Sequence, residues 1–282
     1  MNKKQLRDLE CLQQESEQGD FTLKLNWDTL RSRNGIMQND FLHYEKGQLV
    51  GFVGLYDFGS KLEMCGMVHP EFRRRRIFTN LVNEALDAAL GREAREIILN
   101  TPGPSQSGKE FLKRLPCEFA FSEYQMKWTL TELSDYEDIV IRPSREMDAE
   151  TEIQLDIQCF QFLEKEAREY YQRIQFEHTL KTLMIEADGK TVGKIRVDHS
   201  EGEAWIYGFS IFPEYQGKGI GKKVLKKIVA KQHSLGYEIF LEVEATNAHA
   251  LRLYESCGFK TIQRQDYYRY KEENREARSA HL

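Results

Sequence analysis

The residues most able to do chemistry lie in a glycine-rich stretch, Ile211-Phe212-Pro213-Glu214-Tyr215-Gln216-Gly217-Lys218-Gly219-Ile220-Gly221. An apolar run ends at Pro213, and three glycines then follow at alternate positions. The next segment, residues 222–235, has apolar side chains at helical spacing, which predicts that the glycines open a buried helix. Backbone amides at a helix start, with no side chains in the way, form a binding site for phosphate. The stretch therefore predicts a phosphate-binding loop.

Two other nucleotide-binding motifs fit this stretch poorly. A dinucleotide-binding fold requires G-x-G-x-x-G directly after a strand, with an acidic residue about 20 positions further on. Glu242 lies near that distance, but the glycines are spaced G-x-G-x-G, and residues 213–216 separate them from the apolar run. The sequence contains no G-x-x-x-x-G-K-[ST], which excludes a P-loop.

Two signatures in this region resemble those of the GNAT family of acetyltransferases. The first, [QR]-x-x-G-x-[GA], matches at Gln216, Gly219 and Gly221. The second is N-x-x-A-x-x-L-Y-x-x-x-G-F, and it follows a predicted strand at residues 239–244. Its matching residues are Asn247, Ala250, Leu253, Tyr254, Gly258 and Phe259. Both signatures stand in the family's order and spacing, so the resemblance covers residues 139 to 270.

The resemblance implies acetyl-CoA as co-substrate and indicates which residues would hold it. The amides of residues 217–222 would hold the pyrophosphate, and the Ile211 backbone would pair with the pantetheine arm. Asn247 resembles the residue that hydrogen-bonds the pantetheine or anchors its loop. Lys222 is favoured among the nearby lysines, although all of them fit the solvent face of an amphipathic helix. The predicted cofactor-binding residues are Ile211, Gln216, Gly217, Lys218, Gly219, Ile220, Gly221, Lys222 and Asn247.

Acyl transfer to an amine requires two proton transfers, and the sequence offers a candidate for each. An amine with a pKa of about 8 to 10 is mostly charged at neutral pH, so a carboxylate must accept its proton. Glu242 stands where the family resemblance implies such a base, and it is equally an ordinary outward residue of a strand; Glu244 is a second candidate. Tyr254 resembles the family's tyrosine that protonates the departing thiolate, and the alternative is a packed aromatic. Cys257 is predicted to be a core residue, because direct transfer needs no acyl-enzyme.

An internal repeat at about half the chain length indicates two modules. Residues 68–73 correspond to residues 211–216 at an offset of 143. We predict an α+β protein of two tandem GNAT-like domains, each a mixed, mostly antiparallel sheet flanked by helices. The first would span residues 1–133 and be non-catalytic, and the second, residues 134–282, would bind acetyl-CoA.

The first copy departs from the family's pattern at the phosphate-binding positions. Arg73, Arg76 and Phe78 stand opposite the motif's glutamine and two glycines. Side chains at former glycines would crowd a backbone that must approach pyrophosphate. The alternative is that the arginines bind phosphate through their charge. No tyrosine stands opposite Tyr254, so the first copy is predicted to be structural or to shape the acceptor site.

Composition excludes several other classes of protein. A net charge of −5 argues against a nucleic-acid-binding protein, and no apolar run approaches the 20 or so residues that span a bilayer. Five scattered cysteines without a C-x-x-C pair predict reduced thiols and a cytoplasmic location. No H-E-x-x-H or other metal-binding pattern is present, so no metal is expected. A monomer or a homodimer fits two modules in one chain.

The predicted function is transfer of acetyl from acetyl-CoA directly to a primary amine on a small molecule or peptide. Residues 149–182 are predicted to be helical, and the family resemblance implies that they form one wall of the acceptor site. Glu164, Glu166 and Glu169 in this segment would suit a cationic amine or simply face water. The alternatives are a CoA-binding regulator without turnover, a scaffold for a protein partner, and transfer to oxygen or of a longer acyl chain.

Overall fold

The computed structural model describes residues 1–17, 21–33, 35, 37–58, 61–92, 96–131, 136–176 and 181–271. The chain forms two compact units, which are Met1–Glu123 with the segment that begins at Gln263, and Tyr124–Ile262. The predicted domain limit between residues 133 and 134 lies outside the described residues, and that division stays a prediction.

The first unit combines four-turn and shorter helices with a mixed sheet. Its helices are α1 (Lys3–Ser16), α2 (Trp27–Ser32), α3 (Ile77–Leu90) and α4 (Gln106–Leu112). Its strands are β1 (Asp40–Glu45), β2 (Gln48–Asp57), β3 (Lys61–Val68), β4 (Glu96–Pro102), residues 117–123 of β5 (Cys117–Trp128) and residues 263–270 of β11 (Phe259–Tyr270).

The first unit's sheet has the strand order β1-β2-β3-β4-β11-β5. Neighbouring strands from β1 to β3 are antiparallel, β3 and β4 are parallel, and β4 and β11 are antiparallel. Both faces of β2 are buried, because Val53 and Leu55 pack with α3 while Phe52 and Tyr56 pack with α1 and α2. The helices on each face therefore have their own hydrophobic cluster.

The second unit repeats this plan with its own elements. Its helices are α5 (Ala149–Phe160), α6 (Glu164–Phe176), α7 (Ile220–Ser234) and α8 (Ala248–Ser256). Its strands are residues 124–128 of β5, β6 (Ile139–Pro143), β7 (Lys181–Ala187), β8 (Lys190–Ser200), β9 (Glu203–Ile211), β10 (Glu238–Glu244) and residues 259–262 of β11. The order of these strands is β11-β5-β10-β9-β8-β7-β6, so β9 is central.

The two faces of the second sheet pack against different helices. Strands β6 to β9 are antiparallel neighbours, and β9 and β10 are parallel. Leu241 and Val243 of β10 join the apolar face of α7 in one buried cluster. On the opposite face, the Lys194 ammonium of β8 donates to the Glu152 carbonyl of α5. The α7 and α8 side is therefore apolar, whereas the α5 and α6 side contains buried charges.

The prediction of one helical stretch over residues 149–182 is wrong in two places. α5 ends at Phe160, because Gln161 takes a left-handed φ of 60°, and α6 begins at Glu164. Lys181 pairs with Val197, so strand β7 starts inside the predicted helix. Residues 177–180 lie outside the described residues. No helix in the described part of the chain is long and apolar enough to cross a bilayer.

Candidate functional site

The second unit opens between its two parallel central strands. The ladder of β9 and β10 runs from the pair of Glu203 and Glu238 to the pair of Ile206 and Leu241. β9 nevertheless continues to Ile211 and β10 to Glu244. We call the space between residues 207–211 and 242–244 the slot. Its unpaired strand edges suit a ligand with an extended arm that carries amides.

A β-bulge in β9 lies just beyond the end of its ladder with β10. Lys194 of β8 pairs with Ser210 and Arg196 pairs with Tyr207, so β9 carries one extra residue between these pairs. Gly208, in this interval, has a φ of 53°, which glycine adopts without steric cost. A Cβ at this position would also collide with the guanidinium of Arg196. A glycine is therefore required at the bulge for both conformation and close approach.

The glycine-rich loop connects the end of β9 with α7. Gly217 and Gly219 have φ values of 74° and 79°, and a Cβ added to either would meet no atom within 4 Å. Glycine adopts this left-handed conformation without steric cost, and no neighbouring atom of the described residues excludes a side chain here. Gly219 is the N-cap residue of α7, and no side chain caps this helix. Its free N-terminal amides and positive dipole end fit a diphosphate.

Ile220 and Gly221 form the first turn of α7. Ile220 packs against the core of the unit. A Cβ on Gly221 would lie 3.2 Å from Leu253 Cδ2, so the absence of a side chain lets α7 approach α8 closely. The three glycines of the loop, Gly217, Gly219 and Gly221, therefore serve two purposes. The first two allow the backbone conformation, and the third allows close helix packing.

Gln216 fastens the loop to the end of β9. Its Nε2 donates to the Ile211 carbonyl over 2.8 Å, and the Cys159 thiol of α5 donates to the same oxygen over 3.3 Å. The motif glutamine thus positions the loop through a backbone contact. The roles predicted for Gln216 and Ile211 in holding a cofactor stay predictions.

Replacing Gln216 by alanine is expected to weaken acetyl-CoA binding about 5- to 10-fold. One partly exposed hydrogen bond is worth about 1 kcal/mol, and here its loss would leave the loop to be ordered on binding. Calorimetric titration of acetyl-CoA measures the Kd. Gln216→Met keeps the length of the side chain but has no hydrogen-bond donor, so it should weaken binding as much as the alanine variant does. Unchanged affinity in both variants would contradict this role.

Two of the nearby lysines already have partners. Lys223 pairs with Asp138, and Lys227 donates to the Tyr136 carbonyl over 2.8 Å. Lys218 lies over the ring of Tyr215, 5.2 Å from its centroid. Lys222 is exposed and forms no ion pair with any described residue. It therefore stays the preferred cation for a phosphate group.

Tyr254 lies on α8 with its ring in the apolar cluster. The residue is 9% exposed and meets Phe259 edge-on at 6.1 Å between centroids. Its hydroxyl has no hydrogen-bond partner among the described residues, yet it is not sealed from solvent. Burial, with a smaller contribution from Cys257, raises the pKa of Tyr254 to about 12. The phenol is therefore protonated at neutral pH.

Glu242 is the first residue of β10 beyond the ladder with β9. Its neighbours Leu241 and Val243 are buried on the α7 side, so strand alternation directs Glu242 to the other face. The side chain is partly buried. The candidate base and Tyr254, the candidate acid, thus lie on opposite faces of β10. Glu244 is exposed near the end of the same strand.

Asn247 and Cys257 have structural contacts. Asn247 is the N-cap of α8, and its Oδ1 accepts from the Ala250 amide over 3.0 Å. This is the anchoring role among the two that the sequence left open, and contact with pantetheine stays a prediction. Cys257 is 2% exposed in the apolar cluster, as predicted for a core residue, and burial raises the pKa of its thiol.

The first unit keeps the loop conformation with other side chains at the glycine positions. Arg74 and Arg76, which correspond to Gly217 and Gly219, have φ values of 64° and 61°. The arginine side chains therefore do not prevent the left-handed backbone. Phe78, in place of Gly221, packs on the ring of Phe111 with centroids 4.8 Å apart.

A side-chain hydrogen bond links the first unit's two parallel strands beside the end of their ladder. The parallel ladder of β3 and β4 ends at Met64 and Leu99. Asn100, the counterpart of Glu242, donates from its Nδ2 to Glu63 Oε1 over 2.5 Å. The β2–β3 register also continues without the bulge found in β9. Both strands continue beyond this ladder, to Val68 and Pro102, as their counterparts do in the second unit. The first unit therefore differs by the missing bulge and by this hydrogen bond.

Sequence reasoning missed a group of buried polar residues on the α5 and α6 face. Lys194, Arg196 and Ser210 are all at most 5% exposed. The available signal was the presence of Lys194 and Arg196 in the otherwise apolar run of β8. Charged residues at alternate positions of such a strand normally face solvent, so the pattern by itself predicts that Lys194 and Arg196 are exposed.

The family model of the Acetyltransferase (GNAT) family matches residues 4–115 and 149–259. A tandem GNAT protein from the clavulanic acid biosynthesis pathway superposes with a TM-score of 0.70 at 14% identity, over 97% of each chain. A GCN5-related N-acetyltransferase from Sphaerobacter thermophilus also has a TM-score of 0.70, at 19% identity, over 86% of this chain and 84% of that one. At these identities, the likeness shows the fold alone.

Two groups of curated relatives are similar over a shorter segment. The spermine/spermidine N(1)-acetyltransferase of Bacillus subtilis is 41% identical over 66 residues, which are 22% of this chain and 43% of the relative. The [ribosomal protein bS18]-alanine N-acetyltransferase of Escherichia coli (strain K12) is 39% identical over 69 residues, 23% of this chain and 46% of the relative. The match thus spans less than half the length of either enzyme. Because the family model covers most of the sequence in two copies, the chain belongs to the GNAT acetyltransferase family and carries two of its domains in tandem.

Proposed function

We propose that the protein transfers the acetyl group of acetyl-CoA directly to a primary amine, and that the second unit performs this reaction. Acetyl-CoA would supply a thioester whose carbonyl carbon is attacked by the amine nitrogen. The new bond between carbon and nitrogen forms as the bond between carbon and sulfur breaks. The amine loses one proton, and the departing thiolate gains one.

The observation that carries the proposal is the slot, with the glycine-rich loop after β9 and with Tyr254 in the same buried cluster as Leu241 and Val243 of β10. The uncapped start of α7 and the left-handed glycines suit the diphosphate. The unpaired edges of β9 and β10 suit the extended pantetheine arm. Together they would place the thioester between the strands. Lys222 would add a positive charge near the phosphates.

Two side chains would move the protons. Glu242 would accept the amine proton, directly or through a water molecule, from the α5 and α6 face of β10. Tyr254 would approach the thiolate from the opposite face. A phenol with a pKa of about 12 is a weaker acid than a thiol of about 8.5, so complete donation is uphill. Tyr254 would therefore stabilise the developing thiolate through a hydrogen bond and release its proton as CoA leaves.

The first unit would not turn over substrate. It has no tyrosine opposite Tyr254, and β3 lacks the bulge that β9 has beside its loop. We assign it a structural role or a role in shaping the acceptor site.

CoA release over a panel of amines tests the proposed function. Full-length protein should release CoA with at least one class of primary amine, and mass spectrometry should find one acetyl group added to the amine. Acetyl-CoA binding without release for any amine would favour a CoA-binding regulator. Failure to bind acetyl-CoA at all would favour a scaffold.

The pH dependence of the reaction should have a rising limb without a falling one below pH 10. The rate rises with pH as the amine loses its proton, whose pKa is about 8 to 10. Because the pKa of Tyr254 is raised by burial to about 12, the phenol keeps its proton throughout this range. Measurement of kcat/KM from about pH 6 to about pH 10 checks this. A falling limb with an apparent pKa below about 10 would contradict the assigned acid.

A further inference from the structure

Arg196 on β8 is a buried cation without an anion. It is 5% exposed, and its Nη2 donates to the Tyr170 hydroxyl of α6 over 2.6 Å. The Tyr170 ring covers the guanidinium at 5.1 Å, and Nε has no partner. No carboxylate of the described residues forms an ion pair with it. Since an unpaired buried charge is costly, an arginine in this setting indicates an oxyanion ligand.

The neighbouring buried charges do not neutralise Arg196. The Lys194 ammonium is bound by Asp156 over 2.7 Å and by the Glu152 carbonyl over 2.9 Å. Asp156 thus already has a cationic partner. The buried oxygens Asp156 Oδ1 and Ser210 Oγ also have no partner. Unpartnered polar atoms are rare in protein interiors, and several near one strand pair indicate a binding site for a polar group.

The strand register puts Arg196 on the same face of the sheet as the candidate base. Arg196 of β8 pairs with Tyr207 of β9. Ile206, just before Tyr207, pairs with Leu241 of β10, so Glu242 is level with Tyr207. Paired residues share a face, so Arg196 and Glu242 belong to one row across three strands. Two strand spacings of about 4.8 Å separate their backbones, and the opening of the slot adds to this. An arginine side chain spans most of that distance.

The Arg196 guanidinium lies between Tyr170 of α6 and Gly208 of the bulge. Tyr170 and Gly208, which cover the guanidinium, are both partly exposed, and Gly208 belongs to the bulge in β9. A rotation of the Tyr170 side chain would uncover Nε and Nη2. The ligand would then reach Arg196 from the same side as it reaches Glu242.

We propose that the acceptor is an amine that also carries a carboxylate a few bonds from its nitrogen, and that Arg196 binds this carboxylate while Glu242 faces the amine. α-Amino acids are the simplest members of this class. A planar carboxylate matches the donor geometry of a guanidinium. The assignment rests on the proposed function, because it places the acceptor in the same slot.

The glutamates of α6 do not favour the opposite charge preference. Glu164 pairs with Arg168, and Glu169 lies 3.7 Å from Lys165. The Glu166 carboxylate accepts from the Leu163 amide over 3.2 Å. These carboxylates therefore have local partners, whereas Arg196 has no anion.

Paired acceptors test the proposal on the natural protein. L-Amino acids and their carboxamides differ only in the carboxylate, and spermine represents acceptors without one. We expect kcat/KM to be at least about 10-fold higher for the acids. The α-amine of a carboxamide is less basic than that of the corresponding acid, so a larger fraction of it is unprotonated and reactive at neutral pH. This difference favours the carboxamides and therefore works against the expected result. Equal use of acids and amides, or a preference for spermine, would overturn it.

Variants then identify the residue responsible. Arg196→Gln should raise the KM for amino acids about 30- to 100-fold with a smaller effect on kcat, and abolish the preference over carboxamides. Arg196→Lys should keep part of the preference for amino acids over their carboxamides. The matched control is Arg173→Gln, which removes a cation from the other contact with the Tyr170 ring. Circular dichroism identifies variants that fail to fold. A preference that survives in folded Arg196→Gln would exclude Arg196 as the receptor.

A binding measurement separates this inference from the proposed function. N-acetyl amino acids and their amides are titrated into the CoA-bound protein in a calorimeter, which needs no turnover. Tighter binding of the acid, lost in Arg196→Gln, would support the carboxylate site even if no amine is acetylated. Acetylation of amines with no difference between acid and amide would leave the proposed function intact and overturn this assignment.

Discussion

Replacing Tyr254 by phenylalanine is expected to lower kcat for acetyl transfer about 100- to 1,000-fold. A positioned general acid contributes rate factors of about this size. The substitution removes only a hydroxyl that has no partner among the described residues, so the fold has little to lose. The Kd of acetyl-CoA should stay within about twofold, because the ring and its contact with Phe259 remain.

Steady-state kinetics with a saturating amine, and calorimetry for the Kd, measure the two quantities separately. The matched control is Tyr237→Phe, which removes a phenol hydroxyl in the same unit at the residue before β10, away from the slot. That variant should keep the natural rate. If Tyr254→Phe also keeps it, the thiolate is stabilised by another group and the acid assignment is wrong.

Replacing Gly217 and Gly219 together by valine is expected to weaken acetyl-CoA binding at least about 100-fold. A β-branched residue in the left-handed region is strained by roughly 1–3 kcal/mol. The free loop would relax out of this conformation, and binding would have to restore it at both positions. Two such costs correspond to a loss of affinity of this order or more.

A control variant separates this effect from general destabilisation. Gly236 has a φ of 86° just after α7, and a Cβ there would also meet no atom within 4 Å. Gly236→Val therefore introduces the same kind of strain outside the loop, and it should lower the melting temperature without changing the Kd. Undiminished binding by the Gly217 and Gly219 variant would show that the loop does not hold the diphosphate.

The parts of the site that depend on local backbone chemistry were predictable from sequence. Alternate glycines before an amphipathic segment require a special backbone conformation, and the structure has it at Gly217 and Gly219. Cys257 is buried as expected, and the ring of Tyr254 is packed, which the sequence offered as the alternative reading of that residue. In each case a few adjacent residues contain all the necessary information.

The parts that depend on partners distant in sequence were not predictable. Lys194 and Arg196 look like solvent-facing residues of β8, because their partners Asp156 and Tyr170 come from helices 38 and 26 residues away. The break between α5 and α6 depends on a left-handed Gln161, a residue type with no strong preference for that conformation.

The first copy shows the same limit for the phosphate-binding loop. Its side chains were expected to crowd the backbone at the former glycine positions, yet Arg74 and Arg76 keep left-handed φ values. What differs nearby is the strand pairing, because β3 lacks the bulge of β9 and Asn100 contacts Glu63. The loop sequence alone therefore does not determine the structure around the loop.

Backbone hydrogen exchange with and without CoA tests the central claim most directly. Mass spectrometry on the full chain reports protection separately for residues 217–222 and residues 73–78. If the second unit alone binds the diphosphate, CoA should slow exchange of the amides at residues 217–222 and leave those at residues 73–78 unchanged. Protection at residues 73–78 instead, or at neither loop, would contradict it.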